Sequence, residues 1–213
     1  MYKTVVFDLD GTLLNTLTDL ADAGNRLCQK YGWPTHERQA YRYFVGNGIP
    51  KLVERLAPAD QRTPAVLEAA LADFKRDYGQ HLRDTTAPYP GIPEMLAKLK
   101  ANGVQLAVFS NKADALAKEV VKDYFGTQYF TIVRGQMTGV APEGTNALLQ
   151  ALHADPASTL YVGDSNVDVE TAHNANLPCC GAVWGFRTRE ELNAAGAEYL
   201  AENSDELYDV IMK

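Results

Sequence analysis

The chain has 213 residues, 46% of them hydrophobic, which is enough to bury a substantial core in one large domain or two small ones. Its 27 acidic residues outnumber 20 basic ones, and the net charge of −7 argues against non-specific nucleic-acid binding, which needs Lys and Arg. No apolar run approaches the roughly 20 residues that span a bilayer, and the first residues lack the apolar core and cleavage site of a signal peptide. We therefore expect a cytoplasmic protein with neither nucleic-acid nor membrane partners.

Short and almost continuously apolar runs, typical of buried parallel strands, recur along the chain. They are Lys3–Phe7, Val104–Phe109, Tyr129–Val133, Thr159–Val162 and Cys179–Val183. The helical patterns between and after them are Ile92–Asn102, Ala113–Tyr124, Gly144–His153, Val167–Asn174, Thr188–Ala195 and Ser204–Met212, the last two expected to close the sheet edge. Strands alternating with such helices indicate βαβ units, so we predict an α/β fold with a Rossmann-like parallel sheet.

About ninety residues separate the first two predicted strands, whereas an ordinary crossover needs about a dozen. This insert has apolar residues at helical spacing in four stretches: Thr16–Tyr31, Gln39–Phe44, Ile49–Leu56 and Pro64–His81. The connection Asp84–Pro93 contains three prolines, which favour an extended linker between compact units. We therefore predict a core of residues 1–14 and 88–213, interrupted by a helical cap domain of residues 15–87.

Polar side chains follow the predicted strands at the edge where parallel sheets bind ligands. After the first, second and fourth strands these are Asp8 and Asp10; Ser110, Asn111 and Lys112; and Asp164 and Asp168. Crowded carboxylates repel one another and cost folding energy unless their pKa values rise or a cation neutralises them. Oxygen ligands without histidine or thiolate suit Mg²⁺, so we predict a magnesium site. Taken singly, each acid could instead cap a helix, and Ser110-Asn111 could be an ordinary turn.

With these motifs in order on predicted strand ends, the sequence resembles the haloacid dehalogenase-like hydrolases, in their phosphoglycolate-phosphatase-like branch. The similar segments, which span essentially the whole chain, are FDLDGTLLNT, FVGNGIPKLVERLA, PYPG, VFSNK, YVGDSNVD and WGFR. The resemblance implies a Rossmann-like core with a helical cap, and a phosphatase that acts on a small phosphorylated metabolite. Phosphoglycolate is the first candidate substrate, and other small-metabolite phosphatases, pyrophosphatases and phosphosugar mutases remain alternatives.

The resemblance also implies a role for each matching residue. Asp8 would be the nucleophile that becomes an aspartyl-phosphate, and Asp10 the acid that protonates the leaving group and then activates water. Ser110 and the amides near Asn111 would hold a phosphoryl oxygen. The implied Mg²⁺ ligands are Asp8, the Asp10 carbonyl and Asp164, with Asp168 as an outer or alternate ligand. Dehalogenating members lack the second acid, so Asp10 favours a phosphoryl substrate over a carbon–halogen bond.

One position departs from the family pattern. Members usually carry a Lys-Pro pair shortly after the third strand, where this sequence has Ala141-Pro142. The missing ammonium would offset charge on the nucleophile and the phosphoryl oxygens, so its loss should weaken transition-state stabilisation. Lys112 or Arg134 could replace it, with Lys112 preferred because its loop carries the phosphate motif. If neither residue replaces it, the site should catalyse the reaction more slowly. Two further alternatives are that position 141 has been substituted deliberately, and that the chain is a catalytically weakened relative kept for binding or regulation.

The predicted cap carries a further candidate site. Lys51 and Arg55 lie four residues apart on a predicted helix, and this like-charge pairing is tolerable opposite an anion. Gly46-Asn47-Gly48 precedes the helix, whose N-terminus favours negative charge. We therefore predict that Gly46, Asn47, Lys51 and Arg55 read the non-phosphate end of a substrate, such as a small carboxylate. The alternative is a solvated basic face with Glu54 nearby.

Overall fold

The apolar runs form parallel strands in the computed structural model, which describes residues 1–136 and 144–213. The strands in chain order are β1 (Thr4–Phe7), β2 (Leu14–Asn15), β3 (Ala87–Pro88), β4 (Gln105–Ala113), β5 (Phe130–Gln136), β6 (Thr159–Gly163), β7 (Cys179–Ala182) and β8 (Tyr199–Ala201). Six of them form one parallel sheet in the order β5-β4-β1-β6-β7-β8, and β2 pairs with β3. The predicted α/β fold with a Rossmann-like parallel sheet is therefore confirmed.

Ten α-helices lie along the described residues, close to the bounds that the hydrophobic spacing predicts. They are α1 (Leu17–Tyr31), α2 (Arg38–Phe44), α3 (Ile49–Leu56), α4 (Pro64–His81), α5 (Ile92–Ala101), α6 (Asp114–Phe125), α7 (Thr145–Leu152), α8 (Asn166–Asn174), α9 (Arg189–Ala195) and α10 (Ser204–Met212). Across the two described ranges, none of these helices is both long and apolar enough to cross a membrane.

The chain divides into two compact units. One consists of Met1–Leu14 and Pro88–Lys213, and holds the six-stranded sheet with α5 to α10. The other is Asn15–Ala87, and consists mainly of the helices α1 to α4. In the sheet-containing unit the core is built on β1, whose residues Val5, Val6 and Phe7 have no accessible surface.

The central strand lies where the chain reverses its direction across the sheet. Phe7 of β1 is level with Val108 of β4 on one side and with Val162 of β6 on the other. The chain continues from β4 outward to β5, and then crosses back to β6 on the opposite side of β1. Such a switch point opens a crevice at the carboxyl ends of the strands, where open α/β sheets bind ligands.

The strands differ from the prediction at several points: β5 extends to Gln136 instead of Val133, and the short strands β2, β3 and β8 were not predicted. The edge strand β8 has three residues and a partly exposed face, so it carries too little apolar pattern to be recognised in the sequence. Strand β4 continues to Ala113 instead of ending at Phe109, because its pairing with β5 resumes at Gln136 after a register irregularity. The residues Ser110–Lys112 therefore lie within an irregular end of the strand rather than in a loop after it.

The helical unit has its beginning and its end tied together through Asp19. This carboxylate lies in the first turn of α1 and is only 2% exposed. Its Oδ1 accepts hydrogen bonds from the amide and hydroxyl of Thr85 at 2.9 and 2.5 Å. Its Oδ2 accepts the corresponding bonds from Thr86 at 2.9 and 2.7 Å. Four donors satisfy the buried charge, so the side chain stabilises the junction between α1 and the segment that leaves the unit.

Candidate active site

Three carboxylates come together at the carboxyl end of the central strands. Asp8 directly follows β1, Asp164 directly follows β6, and Asp168 lies in the first turn of α8. One carboxylate oxygen from each of the three lies within 4.8 Å of the others. The backbone fixes Asp8 at this position, because its amide donates a hydrogen bond to the Val162 carbonyl at 2.9 Å. The sequence-predicted acids from the first and fourth predicted strands thus form one cluster.

Asp164 is held by hydrogen bonds from two distant parts of the chain. The Thr12 hydroxyl donates to its Oδ1 at 3.3 Å, and the Phe186 amide donates to its Oδ2 at 2.6 Å. The backbone can approach this closely because glycine occupies positions 11 and 185. A Cβ at either position would lie 2.2 Å from an Asp164 side-chain atom, and Gly11 also has a φ of +93°.

Asp168 is held by the residue that begins its own helix. The amide and the hydroxyl of Ser165 both donate to its Oδ2, at 3.0 and 2.7 Å. Gly163 packs against the same side chain, since a Cβ there would lie 2.2 Å from the Asp168 Cβ. Asp168 therefore fits both interpretations of the sequence, as a residue of the first helical turn and as a member of the acidic cluster.

The cluster holds more negative charge than its surroundings neutralise. Burial and the neighbouring carboxylates Asp168, Asp164 and Asp10 raise the pKa of Asp8 well above its ordinary value. Burial, followed by repulsion from Asp168, raises the pKa of Asp164 to about 8. Burial raises the pKa of Asp168 to about 6, although Ser165 and Arg187 oppose the shift. Each shift records the cost of ionising a carboxylate beside others away from water.

The acidic cluster fits a hard divalent cation. All of its three donors are carboxylate oxygens, and the described side chains of the cluster include no imidazole or thiolate. Hard cations such as Mg²⁺ prefer oxygen ligands of this kind. A bound cation would also offset the burial and the repulsion that disfavour ionised carboxylates at Asp8 and Asp164. The structure thus supports the donor chemistry that the sequence predicted at this edge of the sheet.

The fourth predicted acid, Asp10, is paired with a lysine. The Lys112 Nζ lies 3.0 Å from Asp10 Oδ1 and 3.3 Å from Oδ2. The Lys112 side chain is 2% exposed and the Asp10 side chain is 14% exposed. The Lys112 amide donates to the Ser110 hydroxyl oxygen at 3.3 Å, and Ser110 is itself buried. Asn111 is exposed between them. The irregular end of β4 therefore brings Lys112 beside Asp10, the second of the two acids that follow β1.

The other candidate for a replacement cation lies in a different setting. Arg134 is on β5, level with Phe109 of β4. Burial would raise the pKa of Asp114, but the Gly135 amide, Lys118 and Arg134 together lower it. Arg134 thus contributes to the charge environment of Asp114 at the start of α6. Ala141-Pro142, where the family pattern has Lys-Pro, lies outside the described residues.

The four predicted specificity residues lie in the helical unit and contact their neighbours there. The Lys51 ammonium bonds both oxygens of Glu54 at 2.8 Å, as the solvated-face alternative describes. Arg55 donates to the Phe44 carbonyl and to Asn47 Oδ1, each at 2.8 Å. Gly46 and Gly48 have φ of 117° and 82°. Arg55 therefore helps to hold the glycine loop, and its role toward substrate stays a prediction.

Several residues of the site were not assigned from the sequence. Arg187 is 7% exposed, and its charge lowers the pKa of both Asp164 and Asp168, opposing the larger effect of burial. The Trp184 indole donates to the Thr12 carbonyl at 3.0 Å, which supports the turn that presents Thr12 to Asp164. The WGFR segment is one of those that resemble the family, but only the structure shows that its arginine is buried near the acids.

Comparisons with solved structures find proteins of the same fold. A solved structure from Lactobacillus delbrueckii subsp. bulgaricus superposes with a TM-score of 0.92 at 28% identity, covering 99% of this chain and 98% of that one. The structure of CbbY from Rhodobacter sphaeroides in complex with phosphate has a TM-score of 0.77 at 24% identity, covering 97% and 96% of the two chains. Because its sequence identity is low, the likeness to CbbY shows a shared fold alone.

Curated relatives match over most of their length. A phosphoglycolate phosphatase of Chromobacterium violaceum is 31% identical, covering 98% of this chain and 96% of the relative. One from Thiobacillus denitrificans is 32% identical, covering 86% and 84%. The model of the haloacid dehalogenase-like hydrolase family matches residues 5–182, which include the acidic cluster, Asp10 and Lys112. The family resemblance seen in the sequence is confirmed, and the chain belongs to the haloacid dehalogenase-like hydrolases.

Proposed function

We propose that this protein is a Mg²⁺-dependent phosphatase that hydrolyses a small phosphomonoester, with phosphoglycolate as the first candidate substrate. The observation that carries the proposal is the placement of Asp8 beside Asp164 and Asp168, with Asp10 two residues further on. Membership of the hydrolase family supports the reaction class. The relatives named phosphoglycolate phosphatase, which match nearly the whole chain, support the substrate.

Asp8 is the proposed nucleophile. One of its carboxylate oxygens would form a bond to phosphorus as the bond from phosphorus to the leaving oxygen breaks, giving an aspartyl-phosphate. The Asp8 amide is fixed to Val162, so the residue extends from the end of the buried central strand β1. A nucleophile on a rigid strand end keeps its alignment with the phosphoryl group.

Asp10 is the proposed acid and base. Two residues beyond Asp8, it would give a proton to the departing alkoxide oxygen in the first step. In the second step it would take a proton from water, whose oxygen bonds to phosphorus and releases Asp8. The same carboxyl group thus regains the proton that it lost, and the cycle closes with phosphate and an alcohol as products.

The phosphoryl oxygens need donors, and the end of β4 offers them. Ser110 is buried, and it lies beside the amides of Asn111 and Lys112. We propose that the Ser110 hydroxyl and the Asn111 amide hold the phosphoryl oxygens as charge develops on them, while the Lys112 amide supports Ser110. Lys112 was predicted to neutralise this group, but in the structure its ammonium lies on Asp10.

The residues that would hold Mg²⁺ are Asp8, Asp164 and Asp168, with the Asp10 carbonyl as a further oxygen ligand. When bound, the ion supplies positive charge that shields the nucleophile from the phosphoryl oxygens. Thr12, Phe186 and Ser165 orient the carboxylates through the hydrogen bonds described above. These supporting contacts fix which oxygens point into the cluster, as is typical around protein metal sites.

The helical unit is proposed to be the cap of this enzyme. Its residues Gly46, Asn47, Lys51 and Arg55 stay the candidates for reading the carboxylate of phosphoglycolate. A cap that excludes water strengthens charge interactions at the reacting groups. Because a phosphorylated metabolite is charged and does not leave the cell freely, the proposed function places the enzyme in the cytoplasm.

A substrate panel tests this proposal. We expect Mg²⁺-dependent phosphate release, with phosphoglycolate giving the highest kcat/KM among sugar phosphates, nucleotides, pyrophosphate and other small phosphomonoesters. The measurement is free phosphate over time, with and without a chelator. Another ester at the head of the ranking would overturn the substrate assignment. Absence of release from every compound would instead favour a catalytically weakened relative kept for binding.

A further inference from the structure

We infer that Lys112 is a positioning residue for Asp10 and does not serve as a substitute for the phosphate-neutralising lysine of the family. This inference rests on the proposed function, because it assigns a task to Lys112 within that reaction. Lys112 would hold the carboxyl group of the acid in the orientation from which a proton reaches the leaving oxygen.

The ammonium contacts both oxygens of the Asp10 carboxylate. Its distances to Oδ1 and Oδ2 are 3.0 and 3.3 Å, which are hydrogen-bond distances. Contact with both oxygens restrains rotation of the carboxylate about its last bond, which a contact with one oxygen would leave free. The Lys112 side chain is 2% exposed, so water competes little for the ammonium. Ion pairs that are exposed to solvent lack this restraint and contribute little to stability.

The backbone of Lys112 is fixed on two sides. Its amide donates to Ser110 Oγ at 3.3 Å. On the adjacent strand Gly135 packs against its carbonyl so closely that a Cβ at position 135 would lie 2.5 Å from that oxygen. The Gly135 amide in turn bonds Asp114 at 3.0 Å. The lysine therefore starts from a rigid strand end, as a residue that positions an acid to within a fraction of an ångström must.

A positioning role has a chemical signature that charge neutralisation lacks. Help from a general acid matters most when the leaving oxygen is strongly basic, as in the alkoxide of glycolate. A nitrophenolate departs readily without a proton. Loss of charge on the phosphoryl oxygens would instead slow both esters, because the same phosphoryl group is transferred in each.

The experiment compares Lys112→Met with wild type on phosphoglycolate and on para-nitrophenyl phosphate, both with Mg²⁺. If another alkyl ester leads the substrate panel, that ester replaces phosphoglycolate. We expect kcat/KM, which reports the first phosphoryl transfer, to fall at least about tenfold more for the alkyl ester than for the aryl ester, within the range of general-acid catalysis. Asp10→Asn should show the same bias in kcat/KM, and Lys112→Met should add little to it in the double variant.

Two further variants complete the test. Lys122→Met removes an exposed lysine of α6 in the same unit, and should leave kcat/KM for both esters unchanged. Lys112→Arg keeps the charge with a different shape, so it should show a smaller bias in the same direction and serves if the methionine variant does not fold. Thermal unfolding shows which variants are folded.

Equal losses of kcat/KM on the two esters, or no loss of kcat/KM in either Lys112 variant, would overturn the inference. Failure of the proposed function is a separate result, because it would appear in the wild-type protein as absence of phosphate release from both esters. In that case the positioning role of Lys112 would be overturned together with the proposed function. A bias seen in Lys112→Met but absent in Asp10→Asn would also contradict a role that acts through Asp10.

Discussion

Replacing Asp8 by asparagine is expected to lower kcat for every phosphomonoester by a factor on the order of 10⁴ or more, the scale on which loss of a covalent nucleophile acts. The amide has nearly the shape of the carboxylate but cannot form the bond to phosphorus. The substitution also removes a carboxyl group whose pKa is raised well above its ordinary value, first by burial and then by the neighbouring acids. Without Mg²⁺ the variant should therefore fold at least as well as wild type, although it loses turnover.

The measurement for Asp8→Asn is phosphate release at saturating substrate, accompanied by a thermal unfolding curve. Asp209→Asn, an exposed change on α10 of the same unit, is the matched control and should leave turnover unchanged. Retention of wild-type turnover by Asp8→Asn would show that another group attacks phosphorus. In the presence of a chelator, an unfolding temperature below that of wild type would contradict the charge-crowding account of the cluster.

The second large effect concerns stability without metal. In the presence of a chelator near pH 8, Asp164→Asn is expected to unfold at a higher temperature than wild type, although the substitution lies in the proposed active site. The pKa of Asp164 is raised to about 8 from its ordinary 3.8, so ionising it costs folding energy. One pKa unit corresponds to about 1.4 kcal/mol, so the cost is on the order of a few kcal/mol.

The sign follows from proton linkage. A carboxyl group whose pKa is higher in the folded state binds its proton more tightly there, and its contribution to stability is complete below the unfolded pKa. That contribution is lost as the pH rises through the folded values, about 6 for Asp168 and about 8 for Asp164. Metal-free wild type should therefore lose stability relative to Asp164→Asn between about pH 4 and pH 8.

Magnesium should reverse the order of the two unfolding temperatures, so that wild type unfolds at a higher temperature than Asp164→Asn. Added Mg²⁺ would bind the folded wild type and raise its unfolding temperature, most strongly near pH 8, where the carboxylates are ionised. Asp164→Asn should respond much less, because it has lost one of the clustered oxygens. Unfolding temperatures of both proteins at several pH values, with chelator and with Mg²⁺, give the comparison. An equal response to Mg²⁺ in the two proteins would show that the cluster is not the binding site.

Much of the fold could be predicted because its signals are local. The run that ends in Phe7 is continuously apolar, and Asp8 and Asp10 stand directly after it. Strand β8 could not be predicted, since it has three residues and depends on β7 for its place. The extension of β4 past Phe109 depends on its pairing with Gln136, which no local pattern records.

The supporting contacts of the site depend on tertiary approach. Thr12 and Asp164 are separated by 152 positions, and Asp10 and Lys112 by 102. Their contacts exist because glycines 11 and 185 let the backbone close on Asp164, and because β4 bends at its end. The sequence could suggest Lys112 as a cation of the site, but only the folded chain assigns the ammonium to Asp10.

The central claim is that Asp8 carries the phosphoryl group during the reaction. Asp10→Asn with para-nitrophenyl phosphate offers the most direct measurement. The first step still proceeds in this variant, because nitrophenolate departs without a proton. The second step has lost its base, so the aspartyl-phosphate should accumulate. After acid quench and proteolysis, mass spectrometry should find one phosphoryl group on the peptide that contains Asp8, and none when Asp8→Asn is added. Release of nitrophenol by Asp10→Asn without a phosphoryl group on that peptide would contradict the account.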